Sequence, residues 1–406
     1  MRAYERLLRY VKYHTTSSET SGSHPSSPKE FDLARALVEE LHSLGLADAR
    51  VDEKCYVYAS LPATAGYENA PSLGLIAHMD TSPDASGENV RPILHEHYDG
   101  GEIRLGGVTI SPEMFPHLPA LAGRTLITAD GSTLLGADDK AGVSEIMTAL
   151  ERVIAEKIPH GRLAVAFTPD EEIGEGADFF DVAAFGADFA YTVDGGAEGS
   201  LEYENFNAAS AKFEITGRSV HPGSAKGIMV NAALVACEIN GMLPSADIPA
   251  MTEGYEGFFH MTGIGGEVER AEVSYIVRDH DANVFDSRLR TLRHIEKALN
   301  EKYGAGTVKL TIREQYRNMK EKIEPCMHLI ENAIAAAKAV GAEPTVEPIR
   351  GGTDGARLSY MGLPCPNLGT GGYAFHGPME HITVEGMDTE VEILLRLIAC
   401  YANDRG

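Results

Sequence analysis

The hydrophobic pattern of the first 200 residues alternates between two kinds of segment. Short apolar runs of strand length occur at Leu73–Ala77, Leu163–Thr168 and Phe189–Val193. Between the first two, Ala141–Ala155 carries apolar residues at the i, i+3 and i+4 spacing of a helix. Alternation of strand and helix is typical of an α/β fold in which helices cover both faces of a sheet. We therefore predict a central mixed, mostly parallel sheet flanked by helices.

The pattern changes near residue 208. Polar and apolar residues alternate at Ala211–Thr216 and Ala271–Arg278, as in half-exposed strands, and a further strand is predicted at Thr307–Ile312. Helical spacing occupies Ile228–Met242 and Asn283–Glu301. We interpret this block as a βαββαβ unit, an α+β ferredoxin-like lid domain inserted into the first fold.

Helical patterns also occupy the two ends of the chain. Ser27-Pro28-Lys29-Glu30 has the order of a capping box and predicts a helix that ends before Gly45. Two more helices are predicted at Met327–Val340 and from Glu385 to Tyr401. The predicted domains are the first part of a catalytic domain at 1–207, the inserted lid domain at 208–318, and the second part of the catalytic domain at 319–406.

Candidate metal ligands follow the predicted buried strands. His78 and Asp80 follow the first run, Glu171 and Glu172 the second, and Asp194 the third. Because the carboxyl ends of parallel strands meet at one edge of a sheet, we expect these side chains to converge. Two further candidates are Asp138, ahead of the helix, and His376, in a glycine-rich stretch that also has His381 nearby.

The mixture of residue types fits a pair of metal ions. Two adjacent dications need histidine and carboxylate ligands, with one carboxylate shared between them, and Asp138 is placed to bridge. Asp80 can accept the second imidazole N–H of His78, and Glu171 is free to act as a general base. Each cluster alone has a plainer reading, since acidic pairs in loops are usually solvated and a buried histidine usually bonds to backbone. Their conjunction favours a two-metal hydrolase.

The amino-acid composition indicates which binding partners and which cellular compartment to expect. The 35 Lys and Arg against 60 Asp and Glu give a formal charge of -25, which disfavours nucleic acid and anionic membranes. The five cysteines are scattered and form no Cys-x-x-Cys pair, which favours a reducing compartment. The sequence shows no signal peptide and no apolar run of about 20 residues. We expect a cytoplasmic protein.

Several motifs resemble the co-catalytic di-zinc exopeptidase family, which includes carboxypeptidase G and succinyl-diaminopimelate desuccinylase. The resemblance covers nearly the whole chain. The motifs that carry it are His78-Met-Asp-Thr-Ser-Pro-Asp84, Tyr98-Asp-Gly-Gly101, Leu134-Leu-Gly-Ala-Asp-Asp-Lys-Ala-Gly142, Phe167-Thr-Pro-Asp-Glu-Glu-Ile-Gly174, Val220-His-Pro-Gly-Ser-Ala-Lys-Gly227 and Ile349-Arg-Gly-Gly-Thr-Asp-Gly-Ala356.

The resemblance implies specific roles. It implies two Zn²⁺ per subunit, with Co²⁺ or Mn²⁺ as substitutes, a cis peptide bond between Asp138 and Asp139, Glu171 as the base and Asp80 as the residue that orients a ligand. The implied zinc ligands are His78, Asp138, Glu172, Asp194 and His376.

The resemblance also implies residues that contact substrate. His221 is similar to the histidine that stabilises the oxyanion, and Asn231 and Arg278 to lid residues that hold substrate. Either Arg278 or Arg350 can clamp a carboxylate. Asp99 would pair with a free α-amino group, although Tyr98-Asp-Gly-Gly101 is also a good turn sequence.

The expected function is a zinc aminopeptidase that cleaves the N-terminal bond of short peptides, above all tripeptides. The alternatives are a carboxypeptidase or an N-acyl amino acid hydrolase or desuccinylase of the same family. A catalytically dead peptide-binding protein is disfavoured by Glu171, and a phosphohydrolase by the acidic charge and the lack of a P-loop. The expected partners are a peptide substrate and a second copy of the chain, bound through the lid domain.

Overall fold

The computed structural model describes residues 1–403, and the chain forms two compact units. The first comprises Met1–Tyr203, Glu321–Glu347 and the chain from Thr353 on, and the second comprises Glu204–Lys320 and Pro348–Gly352. The second unit therefore begins four residues before the predicted boundary at 208 and ends two residues after the predicted boundary at 318. It also includes a short segment near residue 350 that the sequence pattern did not assign to it.

Most of the helices and strands belong to the first unit. Its strands are β1 (Arg50–Val51), β2 (Val57–Leu61), β3 (Leu73–His78), β4 (Ile93–His95), β5 (Ile103–Leu105), β6 (Val108–Ile110), β7 (Leu126–Thr128), β8 (Leu163–Thr168), β9 (Phe189–Gly195), β10 (Ser200–Glu202), β15 (Thr345–Val346), β16 (Asn367–Gly369), β17 (Gly372–Tyr373) and β18 (His381–Thr383). Its helices are α1 (Ala3–Tyr10), α2 (Glu30–Ser43), α3 (Ala137–Glu156), α4 (Val182–Phe185), α8 (His328–Ala339), α9 (Asp354–Tyr360) and α10 (Val384–Asn403), and α7 (Lys320–Ile323) begins at the boundary.

An eight-stranded sheet forms the centre of the first unit, in the order β1-β2-β8-β3-β9-β16-β10-β15. β3 is parallel to both of its neighbours, β8 and β9, and β16 is parallel to β9. The antiparallel pairs are β1 with β2, β2 with β8 and β10 with β16. The prediction of a mixed, mostly parallel sheet is confirmed. As a result, β3, β8 and β9 all deliver their carboxyl ends to the same edge.

Helix α3 packs unusually close to this sheet. A Cβ atom on Gly142 would lie 1.8 Å from the Val193 carbonyl oxygen, so only glycine fits between the helix and β9. The helix also contacts α1 and α10. This packing brings the first turn of α3, which carries Asp138, to the carboxyl edge of the sheet.

A second, smaller sheet in the first unit has the order β17-β18-β7-β4, and β5 and β6 form a separate hairpin. The hydrophobic pattern did not predict these strands, most of which are only two or three residues long. The loop between β17 and β18 carries His376.

The second unit has the predicted βαββαβ order. Its elements are β11 (Asn207–Thr216), α5 (Ala232–Gly241), β12 (Phe258–Gly266), β13 (Arg270–Asp279), α6 (Ala282–Tyr303) and β14 (Val308–Tyr316). The antiparallel sheet has the order β12-β13-β11-β14, as in a ferredoxin-like fold. Alternate residues of β11, including Phe213 and Ile215, join residues of α5 and α6 in a common core. The ferredoxin-like prediction is confirmed.

Helix α2 starts differently from the predicted capping box. The helix begins at Glu30, its N-cap is Lys29, and no side chain caps it. The buried Glu30 carboxylate nevertheless makes the bond expected of the glutamate in the predicted capping box, since it accepts the backbone N–H of Ser27 (3.2 Å), and it also accepts that of Asp170 (3.3 Å). The start of α2 is therefore tied to the loop after β8. Among residues 1–403, no helix has both the length and the apolar character that crossing a membrane requires.

Candidate metal centre and active site

The strand ends deliver the predicted ligands as the sequence suggested. His78 is the last residue of β3, Glu171 and Glu172 begin a 3₁₀ turn directly after β8, and Asp194 lies near the end of β9. The three strands are neighbours in the sheet, with β3 in the middle. The converging side chains therefore result from the topology of the sheet.

Asp138 reaches the same place from the first turn of α3. Its peptide bond to Asp139 is cis, which confirms the expectation drawn from the family resemblance. The carboxylate of the neighbouring Asp139 is fully buried and accepts hydrogen bonds from the backbone N–H groups of His78 and Gly142, both at 3.1 Å. Asp139 thus joins the end of β3 to the start of α3, and it holds Asp138 beside His78.

The Asp138 carboxylate is shared between two histidines. Its Oδ1 lies 2.9 Å from His78 Nε2, and its Oδ2 lies 3.2 Å from His376 Nε2. Asp194 Oδ1 lies 3.4 Å from His78 Nε2, and Glu172 Oε2 lies 3.0 Å from His376 Nε2. All five predicted ligands therefore meet in two half-sites, one histidine and one terminal carboxylate in each, with Asp138 between them.

Asp80 holds both the histidine and the glutamate pair. Its Oδ1 accepts the backbone N–H of Glu171 at 3.0 Å, and its Oδ2 accepts the backbone N–H of Glu172 at 3.1 Å. Oδ1 also lies 3.2 Å from His78 Nδ1. The Asp80 side chain is completely buried. The Asp80 carboxylate therefore fixes the turn that carries Glu171. The ring of His78 is held by this carboxylate together with the Asp80 backbone carbonyl oxygen, which lies 3.1 Å from Nδ1.

The pKa values of these side chains are shifted because several carboxylates are buried close together. Burial raises the pKa of Asp194 to about 6 and that of Glu172 to about 7. Hydrogen bonds to Asp138 and Glu172 raise the pKa of His376 to about 11. Burial, together with the charge of Asp194, raises the pKa of Glu171 well above its usual value. With all its carboxylates ionised, the cluster needs cations to compensate it.

The donor set fits divalent metal ions. His78, Asp138 and Glu172, and likewise His78, Asp139 and Asp194, each offer one ligand atom within 4.8 Å of the others. Glu172 Oε1 is buried and has no hydrogen-bond partner among residues 1–403, although a buried carboxylate oxygen normally has one. Imidazole nitrogens together with carboxylate oxygens suit zinc and related transition metals. The residues therefore form a candidate site for divalent metal ions.

Three residues near this centre were not predicted from the sequence. Glu380 is buried and accepts the backbone N–H groups of Leu135 (2.8 Å), Gly136 (2.8 Å) and Asp138 (2.9 Å), so it fixes the segment leading into α3. Asp139 has the anchoring role described above. Lys140 donates to the Tyr13 carbonyl oxygen at 2.9 Å, and burial lowers its pKa to about 7.

His381, the second histidine near His376, is not part of the centre. It lies in β18, is fully buried, and its Nε2 lies 2.8 Å from Nε2 of His117. Its Nδ1 faces the Met379 carbonyl oxygen at 2.7 Å and donates to it. These contacts place the buried His381 in an aromatic stack with the half-buried His117 and Tyr373.

The predicted substrate residues lie in both units. Asp99 is exposed and accepts the Gly101 N–H at 2.8 Å, as in the turn that its sequence also suggested. His221 is exposed, Asn231 caps α5, and Arg278 is half-buried on β13. Arg350 donates to the carbonyl oxygens of Gly254 (2.6 Å), Glu256 (3.1 Å) and Thr252 (3.4 Å), so much of its guanidinium already has partners.

Comparison with known proteins identifies the family. The sequence model of peptidase family M20/M25/M40 matches residues 130–399. The protein named peptidase T from Clostridium perfringens is 55% identical over 403 residues, which cover 99% of each chain. The peptidase T of Alkaliphilus oremlandii is 53% identical over 98% of each chain.

Solved structures have the same fold. The aminopeptidase PepT from Bacillus cereus matches with a TM-score of 0.80 at 20% identity, covering 99% of this chain and 98% of its own. A dinuclear metal binding peptidase of the M20 family from Bacillus subtilis matches with a TM-score of 0.64 at 14% identity, covering 98% of each chain. The predicted resemblance is confirmed: the chain belongs to peptidase family M20/M25/M40, where it groups with the proteins named peptidase T.

Proposed function

We propose that the protein is an aminopeptidase that removes the N-terminal residue of tripeptides at a centre of two zinc ions, which Co²⁺ or Mn²⁺ can replace. The proposed ligands are His78 and Asp194 for one ion, His376 and Glu172 for the other, and Asp138 for both. The observation that carries this proposal is the pair of contacts from the two Asp138 oxygens, at 2.9 and 3.2 Å, to two different histidines. A carboxylate in that position can bridge two dications.

Glu171 is proposed as the general base. When bound, the two ions would polarise the scissile carbonyl and lower the pKa of the attacking water. Glu171 accepts the proton of that water and returns it to the leaving amine. Burial, together with the charge of Asp194, raises the pKa of Glu171, which makes its carboxylate a stronger base than that of an exposed glutamate. Asp80 keeps the Glu171 backbone in place through the hydrogen bond of 3.0 Å.

The second unit is proposed to supply His221, which stabilises the oxyanion of the tetrahedral intermediate, together with Asn231 and Arg278, which hold the peptide. Arg278 is the better candidate to bind the C-terminal carboxylate. Among the residues that the structure describes, only Nη1 of Arg278 has hydrogen-bond partners, the carbonyl oxygens of Ala209 (3.3 Å) and Val277 (3.0 Å), whereas both terminal nitrogens of Arg350 are engaged. A guanidinium with a free edge can bind a carboxylate with two hydrogen bonds.

Asp99 is proposed as the partner of the free α-amino group of the substrate. Its Oδ1 accepts the Gly101 N–H, and the side chain is exposed, so a carboxylate oxygen remains available to a cation. An aminopeptidase needs such a negative group, whereas a carboxypeptidase does not. Replacing Asp99 with Asn should therefore raise KM for a free tripeptide more than it lowers kcat.

The test is hydrolysis of a free tripeptide, its N-acetylated form and its C-terminal amide by the zinc-loaded protein. We expect cleavage of the first peptide bond of the free tripeptide and at least about a hundredfold loss of kcat/KM for the N-acetylated form. Cleavage of the last peptide bond would favour a carboxypeptidase. Preferred release of the acetyl group would favour an N-acyl amino acid hydrolase.

The cellular location and the oligomeric state are part of the same proposal. We propose a cytoplasmic protein, because all five cysteines are free thiols. We also propose a homodimer formed through β12, an edge strand of the second sheet whose Ile264 is 51% exposed. Light scattering on the wild type and on Ile264→Lys tests the dimer: the variant should be a monomer, and a monomeric wild type would overturn this part of the proposal.

A further inference from the structure

A second group of residues of the types that bind metal ions lies in the first unit. It shares no residue with the five proposed ligands of the two-metal centre. His24 belongs to the loop before α2, and Asp170 and Glu175 belong to the loop after β8. His24 Nδ1 lies 3.2 Å from Asp170 Oδ2 and 4.0 Å from Glu175 Oε2. One ligand atom from each of these three residues lies within 4.8 Å of the other two.

The histidine in this group is buried and has no hydrogen bond. Its side chain is only 5% exposed, and within residues 1–403 neither Nδ1 nor Nε2 has a hydrogen-bond partner, although Nδ1 lies 3.2 Å from Asp170 Oδ2. The ring is held by aromatic contacts, with centroids 5.6 Å from Tyr56 and 4.7 Å from Phe179. A buried imidazole without a hydrogen-bond partner is costly, since each polar nitrogen has lost its water.

The carboxylate beside it is also incompletely satisfied. Asp170 is completely buried, its Oδ2 accepts the Ser26 N–H at 2.7 Å, and its Oδ1 has no hydrogen-bond partner in the described part of the chain. The Glu175 side chain is 47% exposed, so one side of the group is open to solvent. The arrangement therefore has two buried ligands, one ligand at the surface, and a route by which a hydrated ion can enter.

We propose that His24, Asp170 and Glu175 bind a further divalent transition metal ion, of the zinc type, outside the catalytic centre. An imidazole nitrogen with two carboxylates is a common donor set for zinc, and water molecules complete the coordination. Magnesium and calcium are disfavoured because they prefer oxygen ligands alone. The ion would give His24 Nδ1 the partner that it lacks and would bind the Asp170 carboxylate beside it.

Such an ion would act as a positioning device. Asp170 directly precedes the proposed base Glu171, and its backbone has a left-handed conformation with φ of 55°. Its N–H donates to Glu30 and its Oδ2 accepts from Ser26, so this loop is already linked to the start of α2. An ion bound to His24 and Asp170 would complete that link and restrain the segment from which Glu171 extends.

The experiment measures the number of zinc ions bound per chain by elemental mass spectrometry, after equilibrium dialysis against buffered ZnCl₂. The variant His24→Phe keeps an aromatic ring against Tyr56 and Phe179 but removes the ligand nitrogen. The matched control is His42→Phe, which changes an exposed histidine of α2. We expect His24→Phe to bind one ion fewer than both the wild type and the control.

A second variant guards against misfolding of the first. Glu175→Gln changes a side chain at the surface, and it should weaken binding of this ion at least about tenfold without changing the circular dichroism spectrum. The test compares the zinc bound by each variant with that bound by the wild type. Its outcome therefore does not depend on how many ions the proposed catalytic centre binds. Equal zinc content in wild type and His24→Phe, or wild-type affinity in Glu175→Gln, would overturn the proposal.

Discussion

Replacing Asp80 with Asn tests whether this buried carboxylate holds in place the turn that carries the proposed base Glu171. The two Asp80 oxygens accept the N–H groups of Glu171 and Glu172 at 3.0 and 3.1 Å, and one of them also faces His78 Nδ1 at 3.2 Å. Asparagine keeps one acceptor oxygen but places an amide NH₂ group against the other donor. The shape is unchanged, so the effect reports on charge and hydrogen bonding.

The size of the effect follows from these contacts. Loss of one charge-assisted hydrogen bond costs about 1.5 to 3 kcal/mol, and the remaining bond becomes a weaker neutral one. If about 3 kcal/mol of the anchoring energy is realised in the transition state, kcat/KM falls roughly a hundredfold, because each 1.36 kcal/mol corresponds to a factor of ten. The assay is hydrolysis of a free tripeptide at saturating zinc, with bound zinc measured in parallel.

The control for this prediction is Asp32→Asn, which changes a side chain of α2 that is 66% exposed. It should retain wild-type activity. If Asp80→Asn bound zinc normally and kept kcat/KM within about threefold of the wild type, the turn would not depend on Asp80 and the reasoning would be wrong.

Three further predictions concern catalysis, packing and pH. Glu171→Gln should retain bound zinc but lower kcat at least about a hundredfold, and normal turnover would exclude Glu171 as the base. Gly142→Ala should lower the free energy of unfolding by about 3 kcal/mol or more in urea denaturation, because the new Cβ would lie 1.8 Å from a carbonyl oxygen. The control is Gly107→Ala, whose new Cβ would meet nothing within 4 Å, and it should lower the free energy of unfolding far less. Burial raises the pKa of Glu390 from 4.5 to about 8. Between these two values the folded state keeps a proton that the unfolded state loses, so the free energy of unfolding falls as pH rises from about 5 to 8. Glu390→Gln, which mimics the protonated side chain, should flatten that dependence of the denaturation midpoint, and an unchanged pH profile would contradict it.

The convergence of the predicted ligands could be expected from the sequence because the signal is local. Each strand that carries one is a continuous apolar run, and the ligand directly follows or ends it, as His78 ends β3 and Glu171 follows β8. Parallel pairing of neighbouring strands then brings the ends together. His376 was also a candidate, but its glycine-rich loop has no such signal, and the family resemblance implied its role as a ligand.

The supporting residues were missed because their contacts are not local. Glu380 accepts hydrogen bonds from residues 242 to 245 positions earlier in the chain, so no pattern near either end reveals the pairing. Asp139 looks like one more acidic residue beside Asp138, and only its burial and its bond to the His78 N–H reveal its role.

Strand β12 illustrates a different difficulty. The βαββαβ order required a second strand, but the segment Phe258–Gly266 contains three glycines and lacks the strict alternation that marks β11. Its pairing with β13 contains an irregularity between Met261 and Gly263, which shifts the register. An edge strand of this kind is defined by its neighbour in the sheet, which the local sequence does not show.

The most direct test of the two-metal centre is anomalous X-ray scattering at the zinc absorption edge from crystals grown with zinc. The account predicts two neighbouring peaks, one bound by His78 and Asp194, the other by His376 and Glu172, with Asp138 in contact with both. A single peak in this cluster, or two peaks that do not share Asp138, would contradict it.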